Sequence, residues 1–551
     1  MKQYLAEKVE AALASLGYGG QVIPVFERPK LEAHGDLTTN AAMILAKSMG
    51  KNPRAIAREI ASALKLERED VVRVEIAGPG FINFYFADSF FTRKLSVILS
   101  EGSRFGRSNT GQARKTQVEF VSANPTGPLS VGHGRQAAIG DTIANLLEWT
   151  GHDVTREYYY NNAGRQMRKL AESTYARYQQ LFNASYPFPE DGYQGEYIKE
   201  VAERLKTERG DRLTAMEREA ALSVCKEAAE TVLFEEIKKV LARIGVRFDV
   251  FFNEDSLYTT GKLQEVVEEF RRRGLAYEKD GAVWLKATEL GLDQDRVIIK
   301  STGEPTYRLP DIAYHREKFR RGFDLIVDIF GADHVATIPD VLAGVKALGY
   351  DTEKVKVVIH QFVTLMRDGE QVKMSKRSAN FVTLDELIDE VGTDAVRFFF
   401  IMRSISSHLE FDLNLAKEQS EKNPVYYLQY AHARIASILR FAESEGVIGP
   451  DRSMLASADL SLLKETSELV LVKLLLAFPE VVSSSAESLE PHRVPTYLGE
   501  VATAFHRFYH EHRVVIPDRG LAGARLALCG AAQRVLANGL QILGISAREK
   551  M

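Results

Sequence analysis

Cysteine is scarce. Only Cys225 and Cys529 occur in 551 residues, far apart in sequence, so neither a disulfide framework nor a thiolate metal cage is expected, and a reducing compartment fits. Long apolar runs are missing as well: no stretch reaches the roughly 20 apolar residues of a membrane span. The N-terminus, Met1-Lys2-Gln3-Tyr4-Leu5, soon carries Glu7 and Glu10 and lacks the apolar run and small-residue cleavage site of a secretion signal. The expected location is the cytoplasm, with no membrane partner. There is no internal repeat and no low-complexity tract, which sets aside solenoids and linker arrays. Strong net charge is absent too. With 71 basic and 75 acidic residues the balance is −4, so the chain does not coat nucleic acid through overall attraction.

What is present is an ordinary soluble composition, 45% hydrophobic and 26% charged, in a chain too long for one core. A prior of about 100–200 residues per domain gives three or four domains. Charge is uneven: residues 493–551 hold eight basic side chains against four acidic ones, leaving that tail at +4.

Along the first hundred residues apolar positions recur at helical spacing over 4–16, 41–46 and 56–64. Two β-rich runs, 71–76 and 81–86, flank the turn Ala77-Gly78-Pro79-Gly80 and predict a hairpin. A polar stretch at 102–115 reads as a linker. Next comes a strand at 116–122, a Pro/Gly-rich loop, a helix from about Gly134, and a strand at 154–159, with further strands at 325–329 and 355–359. That alternation opens a doubly wound parallel sheet, whose ligands lie at strand carboxyl ends and helix N-termini. From about Leu384 every strong pattern is helical. The expected architecture is a multidomain α/β protein: an α+β domain at 1–110, a Rossmann-like catalytic domain at 111–390 with a helical and hairpin insertion at about 170–300, and an all-α domain at 391–551.

Between strand and helix lies Ala123-Asn124-Pro125-Thr126-Gly127-Pro128-Leu129-Ser130-Val131-Gly132-His133-Gly134-Arg135. Unpaired N–H groups at a helix start hold phosphate, and Gly132 and Gly134 let backbone approach a nucleotide closely. His133 can donate to a phosphoryl oxygen as charge builds on it. Alone, this pattern reads first as a strand-to-helix turn with a capping histidine. A second stretch, Gln371-Val372-Lys373-Met374-Ser375-Lys376-Arg377-Ser378, follows a predicted Asp368-Gly369 hairpin turn. Lys373 and Lys376 can set two point charges on a triphosphate and stabilise departing pyrophosphate. Alone, it reads as a solvated basic loop.

In order and separation the two stretches resemble the H-x-G-H and K-M-S-K signatures of class I aminoacyl-tRNA synthetases. The run from Val118 to Pro128 is similar to the arginyl-tRNA synthetase family, as are His34-Gly35-Asp36, 77–83, Gly331-Ala332-Asp333-His334 and 427–434, so the resemblance spans essentially the whole chain. It implies ATP-dependent activation of L-arginine to arginyl-adenylate and transfer to the terminal adenosine of tRNA(Arg), with tRNA needed even for the first step. It implies Mg2+ with the ATP, no zinc or organic cofactor, no resident metal site, and a monomer.

Residue by residue, the resemblance places Glu119, Ser122, Asn124, Tyr307 and Asp311 at arginine. It places Gly132, His133, Gly134, Asp333, His334, Lys373, Met374 and Lys376 at ATP, and His133, Lys373, Lys376 and Ser130 in catalysis. Arginine presents a planar fork of five donors, so carboxylates from two chain segments suit it better than they suit lysine. Glu119 and Asp311 are the candidates, either one for the guanidinium and the other for the α-amino group. Read without the resemblance, Glu119 pairs with a core arginine and Asp311 caps the following helix. Ser130 departs from the signature, which usually has histidine there; a hydroxyl donates one hydrogen bond but cannot become cationic. A tRNA-binding paralogue without activity, a tRNA-independent nucleotidyltransferase and a synthetase for another amino acid share parts of the pattern. The arginine-bearing C-terminal region, with Tyr497, Phe505, Phe508 and Tyr509, offers contacts to unstacked bases, although helical spacing puts most of those rings in a core.

Overall fold

The computed structural model describes residues 1–29, 31–372 and 382–551. Five parallel strands form its central sheet: β1 (Lys115–Glu119), β2 (Asp153–Tyr160), β3 (Val250–Asn253), β4 (Leu325–Gly331) and β5 (Val355–His360), in spatial order β5-β4-β1-β2-β3. Being covered on both faces, its inner strands carry apolar side chains with little exposure, among them Val118, Ile326, Val327 and Ile329. Strand order reverses between β1 and β4, and there the carboxyl ends open a crevice.

Helix α1 (Val131–Trp149) follows β1 and is buried almost all round. Gly140 makes this packing possible, since a Cβ there would collide with the Phe120 ring. Helix α2 (Arg308–Arg320) leads into β4, and α3 (Ile338–Ala347) joins β4 to β5.

Ahead of this sheet, a four-stranded antiparallel sheet contains the predicted hairpin as Val71–Ala77 and Phe81–Phe86, with Ile76 opposite Ile82. Helices Lys2–Ser15, Ala41–Met49, Pro53–Ala63 and Asp88–Glu101 accompany it.

Two regions differ from expectation. The segment at 170–300 makes two excursions rather than one insertion. Helices Gly164–Gln180, Glu196–Arg209 and Arg218–Arg243 share their own core around Leu170, Tyr178 and Ile198, after which the chain returns to the parallel sheet as β3. A second excursion then builds a three-stranded antiparallel sheet from Ala276–Lys279, Ala282–Leu285 and Arg296–Ile299. Beyond residue 391 the chain is helical except for Leu409–Asp412, which pairs in parallel with Val363–Arg367.

The reading of apolar run lengths also needs correction. Thr466–Ser488, 23 residues with a mean hydropathy of 1.7 over its most apolar window, is long and apolar enough to cross a membrane. It is broken near Leu476 and Ala477 and turns Leu471, Val472, Leu475, Phe478 and Val482 into the core, which accounts for its composition.

Helix α4 (Pro424–Ser444) and helix α5 (Arg519–Ile542) pack together in the C-terminal region. The segment after α5 is bonded back to the catalytic body. Asn145 Nδ2 donates to the Ile542 carbonyl at 2.9 Å, and the buried Arg397 donates Nε–H to Leu543 at 2.7 Å and Nη2–H to Asp141 at 2.6 Å; within the C-terminal region itself, Gln429 of α4 donates to Ser546 at 2.9 Å.

Candidate active site

A cavity of about 740 Å³ opens at the strand carboxyl ends, where the strand order reverses. Glu119, Ser122, Asn124, Ser130, Gly132, His133, Tyr307, Asp311 and Asp333 all line it, although they come from separate parts of the chain. Lys373, Met374 and Lys376 lie outside the described residues. The backbone of His334 closes the short turn Ala332–His334, and its side chain lies outside the description.

The loop after β1 is strained. Val121 and Ser122 have φ of 68° and 44°, and the Ser122 N–H bonds back to the Phe120 carbonyl at 3.0 Å. A β-branched residue in the left-handed region costs on the order of 1–3 kcal/mol, the sort of cost that persists where neighbours over-determine the backbone. Here they do: Ser122 Oγ donates to Glu119 Oε1 at 2.9 Å and accepts the Tyr159 N–H at 3.2 Å, and the Tyr158 hydroxyl donates to the Ala123 carbonyl at 2.7 Å. Asn124 is oriented by the Asn161 N–H, 2.9 Å from its Oδ1, and by its own Nδ2 donation to Gln166 at 3.0 Å.

At the other wall, Ser130 is the N-cap of α1 and forms a capping box with His133. The Ser130 N–H donates to His133 Nδ1 at 3.1 Å, which leaves Nε2 of a neutral ring as the proton carrier. The capping reading of this histidine and its lining of the cavity therefore hold together. Gly132 also lines the cavity, but Gly134 does not. A Cβ on Gly134 would stand 2.5 Å from Leu384 Cδ1 and 3.0 Å from Phe400, so this glycine lets α1 press against those side chains. Gln136, which sequence reading passed over, lines the cavity and donates to the Ile329 carbonyl. Val382 stands in the same wall, and its neighbour Thr383 bridges to Ser130.

The acidic side of the cavity is richer than expected. Glu119 is 4% exposed, and its partner is the fully buried Lys318, whose ammonium donates to Glu119 Oε2 at 2.6 Å and Asp328 Oδ1 at 2.5 Å. A core pairing was one reading of Glu119; the partner is a lysine, and the carboxylate also reaches the cavity. Burial works against the charges of Lys318 and Asp328, yet mutual attraction outweighs it: the ammonium is held above its ordinary range and Asp328 well below the usual carboxylate range.

Asp311 sits in the first turn of α2, whose N-cap is Tyr307, so it is not the cap. Burial comes first in raising its carboxyl to about 7, with Glu254 and Glu119 adding to the shift against the opposing pull of His315 and Lys318. Glu254, just past β3, was not picked out from sequence. It lines the cavity and accepts from the Tyr159 hydroxyl at 2.7 Å and the Tyr258 hydroxyl at 3.1 Å. Among the described residues no lysine or arginine pairs with the side chain of Glu254 or Asp311. Tyr307 stands on the rim, 87% exposed.

The arrangement supplies a polarised cavity, with helix N–H groups and a histidine donor on one wall and, on the other, two acids that no described lysine or arginine pairs with. It suits a ligand with an anionic end and a cationic end.

Comparison with known proteins bears on the whole chain. Residues 94–402 match the model of the catalytic domain of class I tRNA synthetases (R), residues 3–86 the arginyl tRNA synthetase N terminal domain, and residues 428–551 the DALR anticodon binding domain. A curated arginine–tRNA ligase of Desulfotalea psychrophila is 55% identical, the alignment covering 95% of this chain and 94% of that one. The one of Salinibacter ruber is 50% identical with both chains covered in full. In fold, the chain aligns with Thermus thermophilus arginyl-tRNA synthetase at a TM-score of 0.78 and 23% identity, covering 100% of each.

Proposed function

The chain belongs to the arginyl-tRNA synthetase family, and from that premise we propose how its cavity performs the reaction. An arginine–tRNA ligase joins arginine to ATP with release of pyrophosphate, then passes the arginyl group to the tRNA's terminal adenosine. The observation carrying our assignment is the pair Glu254 and Asp311, two acids in the cavity that have no lysine or arginine partner among the described residues. A guanidinium satisfies both through directional charge-assisted hydrogen bonds; a lysine ammonium, a single point, does not. Glu119, already tied to Lys318 and Ser122, then takes the α-amino group, with Asn124 beside it. Tyr307 closes over the guanidinium from the rim.

This orientation turns the arginine carboxylate toward the N-terminus of α1. ATP lies there with phosphates at Ser130, Gly132 and His133, and its adenosine near Asp333 and His334 where β4 ends. His133 Nε2–H donates to the α-phosphoryl oxygen as the carboxylate attacks, and Lys373 and Lys376, with Met374 beside them, stabilise the departing pyrophosphate. Positioning and charge stabilisation supply the catalysis, with no covalent enzyme intermediate. Mg2+ enters on the triphosphate. Gly134 serves packing rather than the nucleotide.

For tRNA, a groove between α4 and the C-terminal tail brings Arg434, Arg440, Tyr430, Tyr509 and Lys550 together. The Arg434 guanidinium lies 4.8 Å from the Tyr430 ring and 5.2 Å from that of Tyr509. Cations beside partly exposed rings suit an unstacked loop. Tyr497, Phe505 and Phe508 are in the core and play no such part. We divide the chain near 110 and 390 into tRNA-contacting, catalytic and anticodon-binding domains. We take it to act as a cytoplasmic monomer.

The test is exchange of pyrophosphate into ATP, with tRNA present, for each of the amino acids in turn. Arginine alone should support it, and Glu254→Gln should raise the arginine KM by about 30-fold while leaving that for ATP unchanged. Equal exchange with lysine, or an unmoved arginine KM in this variant, would overturn the assignment.

A further inference from the structure

Three buried carboxylates stand side by side on neighbouring strands: Asp328 on β4 is in register with Glu119 on β1, which is in register with Glu157 on β2. Like charges directly opposite on adjacent strands repel. Helix α2 and the residue after it lie across this row with a matching row of basic side chains. Arg321 grips Glu157 through both oxygens, at 2.5 and 2.9 Å, Lys318 bridges Glu119 and Asp328, and His315 Nε2 lies 2.9 Å from Asp328 Oδ2. One face of α2 thus pairs the carboxylates under the cavity and, two turns earlier, presents Asp311 to it with no lysine or arginine paired to its side chain among the described residues.

We propose that Lys318 is a positioning residue that fixes which end of arginine meets which carboxylate. It rests on the assignment of the cavity to arginine. Glu119 has Oε2 tied to Lys318 and Oε1 to the Ser122 hydroxyl, so its plane is fixed and its charge partly offset. With its charge already offset by the Lys318 ammonium, Glu119 still accepts a hydrogen bond from the α-amino group but attracts a guanidinium less than Glu254, whose two oxygens are held only by neutral tyrosine hydroxyls. The guanidinium is sent to Glu254 and Asp311, and the arginine carboxylate comes to face His133. Without Lys318, Glu119 becomes a third uncompensated acid that competes for the guanidinium, and arginine binds in mixed orientations. Cation binding is then strengthened while reaction is lost.

The test is Lys318→Met, with agmatine, the decarboxylated form of arginine, as a competitive probe. The rate constant for arginyl-tRNA formation should fall about 100-fold through misorientation. Agmatine should bind about tenfold more tightly, since one buried positive charge is gone. The KM for ATP should stay unchanged, and Lys318→Arg, which keeps the charge, should recover part of the rate. Packing loss alone moves agmatine the other way. The proposal is overturned if agmatine binds no more tightly than to the wild type, or if the rate stays within about threefold. Should that variant not fold, Lys318→Met with Asp328→Asn removes one charge of each sign and still frees Glu119; with net charge unchanged the rate is the reading that applies, and a rate within about threefold of the wild type overturns the proposal. The cavity assignment fails separately, if Glu254→Gln and Asp311→Asn leave the arginine KM where it is.

Discussion

Replacing Asp311 by asparagine should stabilise the ligand-free protein above neutral pH while crippling its affinity for arginine. The carboxyl is raised from the ordinary 3.8 to about 7, mainly by burial. At 1.36 kcal/mol per pH unit, ionising it in the folded state costs about 4 kcal/mol. Between these values the folded chain holds a proton that the unfolded chain has lost, so wild-type stability falls as pH rises from about 4 to about 7 and is lowest above that. The asparagine side chain has no charge to bury, and the substitution removes this slope. Thermal unfolding without ligand, at pH 5 and pH 8, should show the variant gaining on the wild type at the higher pH by a sizeable part of that 4 kcal/mol. Bound guanidinium reverses the preference, because it favours the ionised acid. Arginine binding to the wild type should therefore tighten from pH 6 to 8 and release close to one proton near pH 6, read by calorimetry in buffers of different ionisation enthalpy. The variant should bind arginine about 30-fold more weakly or worse and release none. An Asp311→Asn protein less stable than the wild type at pH 8, or equal proton release in both, would refute the reasoning.

Ser130→Ala removes the N-cap of α1 and should cost about 1 kcal/mol in chemical denaturation with less than about tenfold loss in kcat, since the backbone N–H that orients His133 remains. A hundredfold loss would give the hydroxyl a direct part in the chemistry. Arg135→Met should destabilise the catalytic region by about 3 kcal/mol, because the guanidinium holds the carbonyls of Gln361, Ser404 and Ser407 at 2.7, 3.2 and 3.0 Å, and lysine in its place should not rescue. Arg434→Ala and Arg440→Ala should each weaken tRNA binding and lower the slope of log affinity against log salt by about 1, with the KM values for arginine and ATP unmoved.

Much of the site was legible because its residues sit where two rules meet. Glu119, Ser122 and Asn124 follow an apolar strand directly, and Ser130 to His133 open the helix after it, so strand end and helix start mark them. Glu254 escaped because its strand has only four residues, Val250–Asn253, enclosed between helices and too short for a periodicity. Lys318 and His315 were passed over for another reason. On α2, Asp311, His315 and Lys318 recur at helical spacing as an exposed charged face would; only the carboxylates of β1, 199 residues from Lys318, and of β4, ten residues on, turn that stripe inward. The strand at Leu409–Asp412 likewise depends on a pairing across 46 residues, between Val363 and Leu409.

The bonds that fasten the chain's last segment to the catalytic body set a schedule for its synthesis. Asn145 and its partner Ile542 are 397 residues apart, and Arg397 waits for Leu543. At roughly 5–20 residues per second, the ribosome leaves α1 without that partner for about 20–80 s. Through this interval the nascent catalytic half exposes the surface that α5 and its tail later cover. Chaperone occupancy should thus persist until the final helix emerges, and chains shortened before Ile542 should aggregate rather than merely lose tRNA.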